Sequence, residues 1–232
     1  VDKIRVMTYN IHQGFDPYGR HDPEALAQVI EASGADVVAL QEVSRGWVIN
    51  SSLDLLSWLS QRLRMPMVFG PTADPHWGNA LLTRFPITRT DNFSLPDGPI
   101  PLRRGCLDVD LDLGGRRLRV MVTHLIHTRR AGPIREHQAR VLLSGWDKSP
   151  RTLIMGDLND LPDAPSIGYF RDAGLHKATA LLPPGERATH FRKGPRELDY
   201  IWATPDLVFI DTEITNSEAS DHRPIVVTVQ LR

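Results

Sequence analysis

Apolar and polar positions along the chain alternate between two periods. The aliphatic runs IRVMTYNI (4–11) and ADVVALQEV (35–43) are bounded by turn residues and read as buried strands. Between them Asp22-Pro23 supplies a helix cap and a first-turn proline, and Leu26, Val29, Ile30 and Ser33 then share one helix face. A second helix is expected over 52–63, with Leu56, Leu59 and Leu63 at helical spacing, followed by shorter strand candidates in MPMVFG, NALLTRF and ITRTDNFSL. CLDVDLDL (106–113) alternates strictly, and Gly114-Gly115 turns it into RLRVMVTHL (117–125), which predicts a hairpin. Helices over 133–146 and 164–173 and strands in TLIMGD, LDYIWAT and RPIVVTVQL complete the pattern. Both periods run through the whole length, so one α/β domain over 1–232 is predicted.

The hairpin carries a decoy. Asp108, Asp110 and Asp112 imitate the start of a calcium loop, but its sixth position is Leu113 and its twelfth Arg119, where such loops need Gly and Glu. These aspartates therefore read as the solvated face of a strand.

Composition narrows the function classes. A hydrophobic share of 41% with 24% charged residues excludes wholesale disorder. The balance of 27 basic against 28 acidic residues argues against non-specific grip on long nucleic acids, while leaving room for a local basic patch. The single cysteine, Cys106, excludes an internal disulfide, no CxxC pair is present for zinc, and the compartment stays open. No apolar stretch approaches the roughly 20 residues that span a bilayer, so no transmembrane segment is expected. The chain begins at Val1 without Met, which fits removal of upstream sequence. Asn50-Ser51-Ser52 and Asn92-Phe93-Ser94 match the glycosylation acceptor pattern, a frequent chance occurrence.

The chemistry lies at the strand ends. Asn10, Glu42, His124 and the pair Asp157/Asn159 follow apolar runs, whereas Asp199 precedes YIWAT and Asp221-His222 precedes RPIVVTV. If the last two strands run antiparallel to the first group, all eight residues share one rim. Carboxylates and amides without thiolates make a hard oxygen site suited to Mg²⁺ or Mn²⁺. Two histidines beside carboxylates add acid/base or phosphate-binding capacity. No GxxxxGK[ST], HExxH or GxSxG motif is present. Metal-assisted attack of water on phosphorus fits this inventory best. Each residue also has an ordinary role: Asn10 in a strand-end turn, His124 as a core histidine, Asp199 as a strand cap, Arg103-Arg104 as a solvated pair.

TYNIH (8–12), LQEV (40–43), THL (123–125), GDLND (156–160), LDYIW (198–202) and SDHRP (220–224) together resemble the ordered motifs of the endonuclease/exonuclease/phosphatase superfamily. The resemblance implies a DNase I-like four-layered α/β sandwich, two packed mixed sheets flanked by helices, and divalent-metal-dependent phosphoester cleavage. It further implies Glu42 as principal metal ligand, with Asn10 and Asp221 beside the metal. Asp157 and Asn159 would align the attacking water, His222 would act as base or phosphate contact oriented by Asp199, and His124 would bond a phosphoryl oxygen. Asn79 is expected to face the cleft, and Arg135 and Gln138 to support it. His127 and His190 lie near motifs without an assigned role.

The segment from SSLDLLSWLSQRL through FGPTADPHWGNALL is similar to the soluble C-terminal domain of membrane proteins of glycosylphosphatidylinositol lipid remodelling and to bacterial relatives. That likeness implies a soluble, monomeric domain cut from a larger membrane-linked chain. Its substrate would be a small or lipid-like phosphodiester, reached partly through an apolar loop from Phe69 to Trp77. A Mg²⁺-dependent nuclease and a catalytically silent phospho-head-group binding module are the alternatives.

Overall fold

The computed structural model describes residues 1–232. In chain order the first half holds β1 (Lys3–Asn10), α1 (Pro23–Ser33), β2 (Val37–Ser44), α2 (Leu55–Leu63), β3 (Met67–Asp74), β4 (Trp77–Thr83), β5 (Ile87–Ser94) and β6 (Gly105–Asp112). There follow β7 (Arg117–His124), α3 (Gly132–Ser144), β8 (Thr152–Asp157), α4 (Pro165–Asp172), β9 (His176–Lys177), β10 (Asp199–Ala203), β11 (Leu207–Ile214) and β12 (Ile225–Leu231). The strands form two six-stranded mixed sheets, ordered β11-β12-β1-β2-β4-β3 and β5-β6-β7-β8-β10-β9.

Three apolar layers explain why so many strands are apolar on both faces. Val6, Ala39, Val109, Val122 and Met155 lie between the sheets. Their sequence neighbours Met7, Val38 and Leu40 point outward against Leu26 and Ile30 of α1 and Leu55, Leu56 and Leu59 of α2. On the other side Met121, Ile154 and Trp202 meet Leu142 of α3 and Ile167 and Phe170 of α4. The result is the four-layered sandwich, two mixed sheets with helices outside. Asp22 caps α1 through the Ala25 amide, as Asp22-Pro23 predicts, and Asp54 caps α2, whose helix begins three residues later than the spacing predicts. The strand β11 escapes the pattern because its second half, IDTEI, is polar and half-exposed at a sheet edge.

The aspartates of β6 overturn one expectation. Asp108 and Asp110 are buried, not solvated. Arg119 on β7 grips Asp108 with two bonds of 2.9 and 2.8 Å, Arg89 on β5 reaches both aspartates, and Arg117 pairs with Asp110. Strict alternation marked one face as charged, but its cations stand on the neighbouring strands. Asn50 of the first acceptor triplet is likewise buried, bonded to Ser44.

Removal of one partner from a buried ion pair leaves an uncompensated charge and costs about 3–5 kcal/mol, against at most about 1 kcal/mol for a solvated pair. Arg119→Leu is therefore expected to lower unfolding stability by about 3 kcal/mol in urea titration, the lower end because Arg89 still holds Asp108. A loss below about 0.5 kcal/mol would return these aspartates to the solvated class.

Candidate active site

The rim assembles because two strands run backwards. β10 is antiparallel to β8, which sets Asp199 opposite Asp157, and β12 is antiparallel to β1, which carries Asp221-His222 back to Asn10. Glu42 reaches the cleft through a bulge: the β2–β4 register shifts between Leu40 and Val43, and Glu42 takes φ 54°. Asn159 takes φ 51°, held by its amide bond of 2.9 Å to Asp157 Oδ1. Left-handed non-glycine residues cost about 1–3 kcal/mol each and cluster at functional sites. Gly156 permits β8 to close on β7 beside them, since a Cβ there would lie 1.9 Å from the Thr123 carbonyl oxygen.

The carboxylates are tied together by an amide. Asn10 Nδ2 donates to Asp157 Oδ2 at 3.0 Å and to Glu42 Oε1 at 3.2 Å, while Asn10 Oδ1 accepts the His12 amide. Asn10 thus turns its nitrogen, rather than its oxygen, toward both ligands. His222 Nδ1 bonds Asp199 Oδ2 at 2.8 Å, and His222 Nε2 lies 3.6 Å from Asp157 Oδ2. Burial opposes the imidazolium, but Asp199 and Asp157 outweigh it and push His222 up to about 10. Asp157 is pushed up to about 7 by burial and by the Asp199 charge.

Asp221 sits between two further histidines, 3.8 Å from His12 Nδ1 and 3.9 Å from His190 Nε2. Arg196 donates to His190 Nδ1 at 3.0 Å, so the neutral ring carries its proton on Nε2 and presents it toward Asp221. Burial and the neighbouring imidazolium hold His190 down at about 4, which keeps it neutral. His190 is therefore a donor in this cleft, and Nδ1 of His222 is committed to Asp199. Glu42 and Asp221 pair with no arginine or lysine, a donor set that fits a hard divalent cation.

The opposite wall is short of acceptors. Arg104 is only 3% exposed, has no carboxylate partner, and lies 5.3 Å above the Trp77 ring. Its two terminal nitrogens reach His124 Nδ1 and His127 Nδ1 at 3.1 Å each, and its buried Nε has no partner. Asn159 Nδ2 approaches the other nitrogen of His124 at 3.0 Å. Burial and the Arg104 cation push His124 well below the usual range and depress His127 as well. A neutral imidazole accepts at one nitrogen only, so with Arg104 on Nδ1 the Nε2 proton of His124 faces Asp157 Oδ2 at 3.5 Å, and Asn159 Nδ2 donates to the Leu125 carbonyl at 3.0 Å. Arg104, a buried cation with an unpartnered Nε and no carboxylate, suits an oxyanion.

The structure brings together all eight residues named from the strand ends. Arg135 and Gln138 support them from α3: Arg135 holds Asp160 at 2.8 Å and Gln138 accepts the Ile126 amide at 2.9 Å. Asn79 does not face the cleft; its amide bonds the carbonyls of Gly105 and Val122 between the sheets. The Phe69–Trp77 segment is mostly strand rather than loop, and of its ends Trp77 lines the cleft. Sequence reasoning left Arg104, His127 and His190 unassigned. The signal present was their position, one next to the central hairpin and two within a few residues of motifs.

Asp199→Asn is expected to lower the His222 pKa in metal-free protein by about one unit or more, and turnover with Mg²⁺ present by a factor on the order of a hundred. Histidine titration by NMR checks the first and steady-state kinetics the second. Identical titration in both proteins would show that Asp199 does not stabilise the imidazolium.

Known proteins share this arrangement of elements. The crystal structure of an endonuclease/exonuclease/phosphatase from Beutenbergia cavernae superposes over 100% of this chain and 72% of its own, with TM-score 0.86 and 27% identity. The uncharacterized protein YbhP of Escherichia coli is 31% identical over 181 residues, 68% of this chain and 67% of its own. Protein cwh43 of Schizosaccharomyces pombe is 26% identical over 204 residues, 74% of this chain but only 21% of that longer protein. Residues 7–222, which span every site residue described above, match the family model itself, and the chain belongs to the Endonuclease/Exonuclease/phosphatase family, a family of divalent-metal-dependent hydrolases.

Proposed function

We propose that the protein is a phosphodiesterase that hydrolyses a small or lipid-like phosphodiester with Mg²⁺ or Mn²⁺. The observation that carries this reading is the division of one cleft into two walls. Glu42 and Asp221 offer unpaired carboxylate oxygens on one side. Arg104, buried without a carboxylate partner and with its Nε unbonded, stands beside His124 and Asn159 on the other. A phosphodiester bound to a divalent cation matches both, because its oxygens satisfy the donors and its cation the carboxylates.

Glu42 and Asp221 would hold the divalent cation, which would supply neutralisation of phosphoryl negative charge. The protein's own groups do the rest. Asp157, with a pKa of about 7, and Asn159 orient a water molecule against phosphorus. Asp157 takes the water proton as the new oxygen–phosphorus bond forms and the ester bond breaks, and the departing alkoxide is protonated from solvent. His222, protonated at neutral pH and steadied by Asp199, donates to a phosphoryl oxygen rather than serving as base. A silent binding module would need the donor wall but not the buried Asp157–Asp199–His222 chain.

Hydrolysis of phosphodiesters is expected with Mg²⁺ or Mn²⁺ and is expected to stop with EDTA. Glu42→Gln is expected to weaken Mg²⁺ binding at least tenfold in calorimetry, since hard cations prefer carboxylate to amide oxygen (a tenfold change is about 1.4 kcal/mol). Arg104→Gln is expected to weaken inorganic phosphate binding by about tenfold or more while leaving Mg²⁺ affinity intact. Unchanged Mg²⁺ affinity in folded Glu42→Gln would remove Glu42 from the metal site. A folded wild type inert toward every diester tested would leave the binding-module reading in its place.

A further inference from the structure

The mouth of the cleft combines two features that the chemistry at its floor does not use. The first is an apolar tip. Val48 and Ile49 are 87% and 71% exposed on a short helical turn directly after Trp47. Trp47 lines the cleft and stacks on Trp77 with ring centres 6.2 Å apart, and Trp77 in turn carries Arg104. A continuous aromatic wall therefore leads from the exposed tip to the buried anion-binding cation. Leu161, another cleft-lining residue, and Phe191 add exposed apolar surface at 44% and 40%.

The second feature is charge. Arg129, Arg192 and Lys193 line the same mouth. Arg130 stands beside Arg129, and the Arg223 guanidinium lies 3.9 Å from the centre of the Phe191 ring. The ion pairs around the cleft, Arg135–Asp160 and Arg103–Asp97, involve none of these cations. In a chain of net charge −1 this is a local concentration of unpaired positive charge. The overall balance of 27 against 28 conceals it because the cations come from three stretches, at 129–130, 192–193 and 223, that meet only in the fold.

We infer that the cleft mouth docks on an anionic lipid bilayer, with Val48 and Ile49 entering the interface and the surrounding cations resting on the head groups. Aliphatic side chains beside unpaired basic residues are the pattern of interfacial attachment, in which apolar burial and attraction to anionic lipid act together. Nucleic acid would account for the cations and for the aromatic wall, on which bases stack, but it gains nothing from the two exposed aliphatic residues at the tip. The inference narrows the phosphodiesterase reading to substrates presented at a membrane surface, and rests on that reading for the chemistry but not for the docking.

Vesicle co-sedimentation in EDTA tests docking apart from turnover. The probes are phosphatidylcholine vesicles with and without about one third phosphatidylserine. Wild-type protein is expected to sediment with the anionic vesicles, to stay in solution with the neutral ones, and to be released by high salt. Arg192→Gln/Lys193→Gln is expected to lower partitioning roughly 25-fold, about fivefold per charge. Val48→Ser/Ile49→Asp is expected to lower it about tenfold or more while hydrolysing a water-soluble diester, bis(p-nitrophenyl) phosphate, at the wild-type rate. Equal partitioning onto neutral and anionic vesicles, or no partitioning onto either, overturns the inference. So does binding to plasmid DNA that falls with Arg192→Gln/Lys193→Gln but not with Val48→Ser/Ile49→Asp, in the absence of vesicle binding. If vesicles bind but no diester is cleaved, docking stands and the phosphodiesterase reading falls; the reverse pattern separates the two in the other direction.

Discussion

The bond from Asn10 to Asp157 crosses from one sheet to the other, and the cleft depends on it. Asp157 ends β8 in the second sheet and Asn10 ends β1 in the first, so this 3.0 Å contact, with the His222–Asp199 bond beside it, ties the two rims together. The same amide holds Glu42, and the same carboxylate faces His222 and His124 at 3.6 and 3.5 Å. Two carboxylates and two imidazoles are thereby placed around one buried point. Burial and the Asp199 charge raise the Asp157 pKa, and the Asp199 and Asp157 carboxylates raise that of His222 against its burial.

Around that point the cleft is unbalanced on both sides, and the imbalances are complementary. Glu42 and Asp221 carry carboxylates with no arginine or lysine beside them, while Arg104 is a buried cation with no carboxylate and an unbonded Nε. Neither excess would be tolerated in a purely structural region, where buried charges are paired and buried donors bonded. The left-handed backbone at Glu42 and Asn159 marks the same two places, one on each wall.

Much of the fold was legible in the sequence because its strands are apolar on both faces and end abruptly in polar residues. Asn10, Glu42, Asp157 and His222 stood out by their position after or before such runs, and the antiparallel placement of β10 and β12 was the one assumption needed to gather them. What stayed hidden depends on partners remote in sequence. Asp108 and Asp110 looked solvated because Arg89, Arg117 and Arg119 close on them only when β5, β6 and β7 align. Arg104 looked like half of a surface pair, since nothing local shows that Trp77 and two histidines enclose it. Asn79, expected in the cleft, is drawn instead to carbonyls between the sheets, where a strand side chain can satisfy buried backbone.

If the two walls are complementary to one ligand pair, binding of the cation and binding of the anion must strengthen each other, and by equal factors. Calorimetric titration of inorganic phosphate, with and without saturating Mn²⁺, measures this directly. The account predicts phosphate affinity at least about tenfold higher with Mn²⁺ bound, and the same gain for Mn²⁺ when phosphate is present. Independent binding of the two, with neither affinity changed by the other, would contradict it.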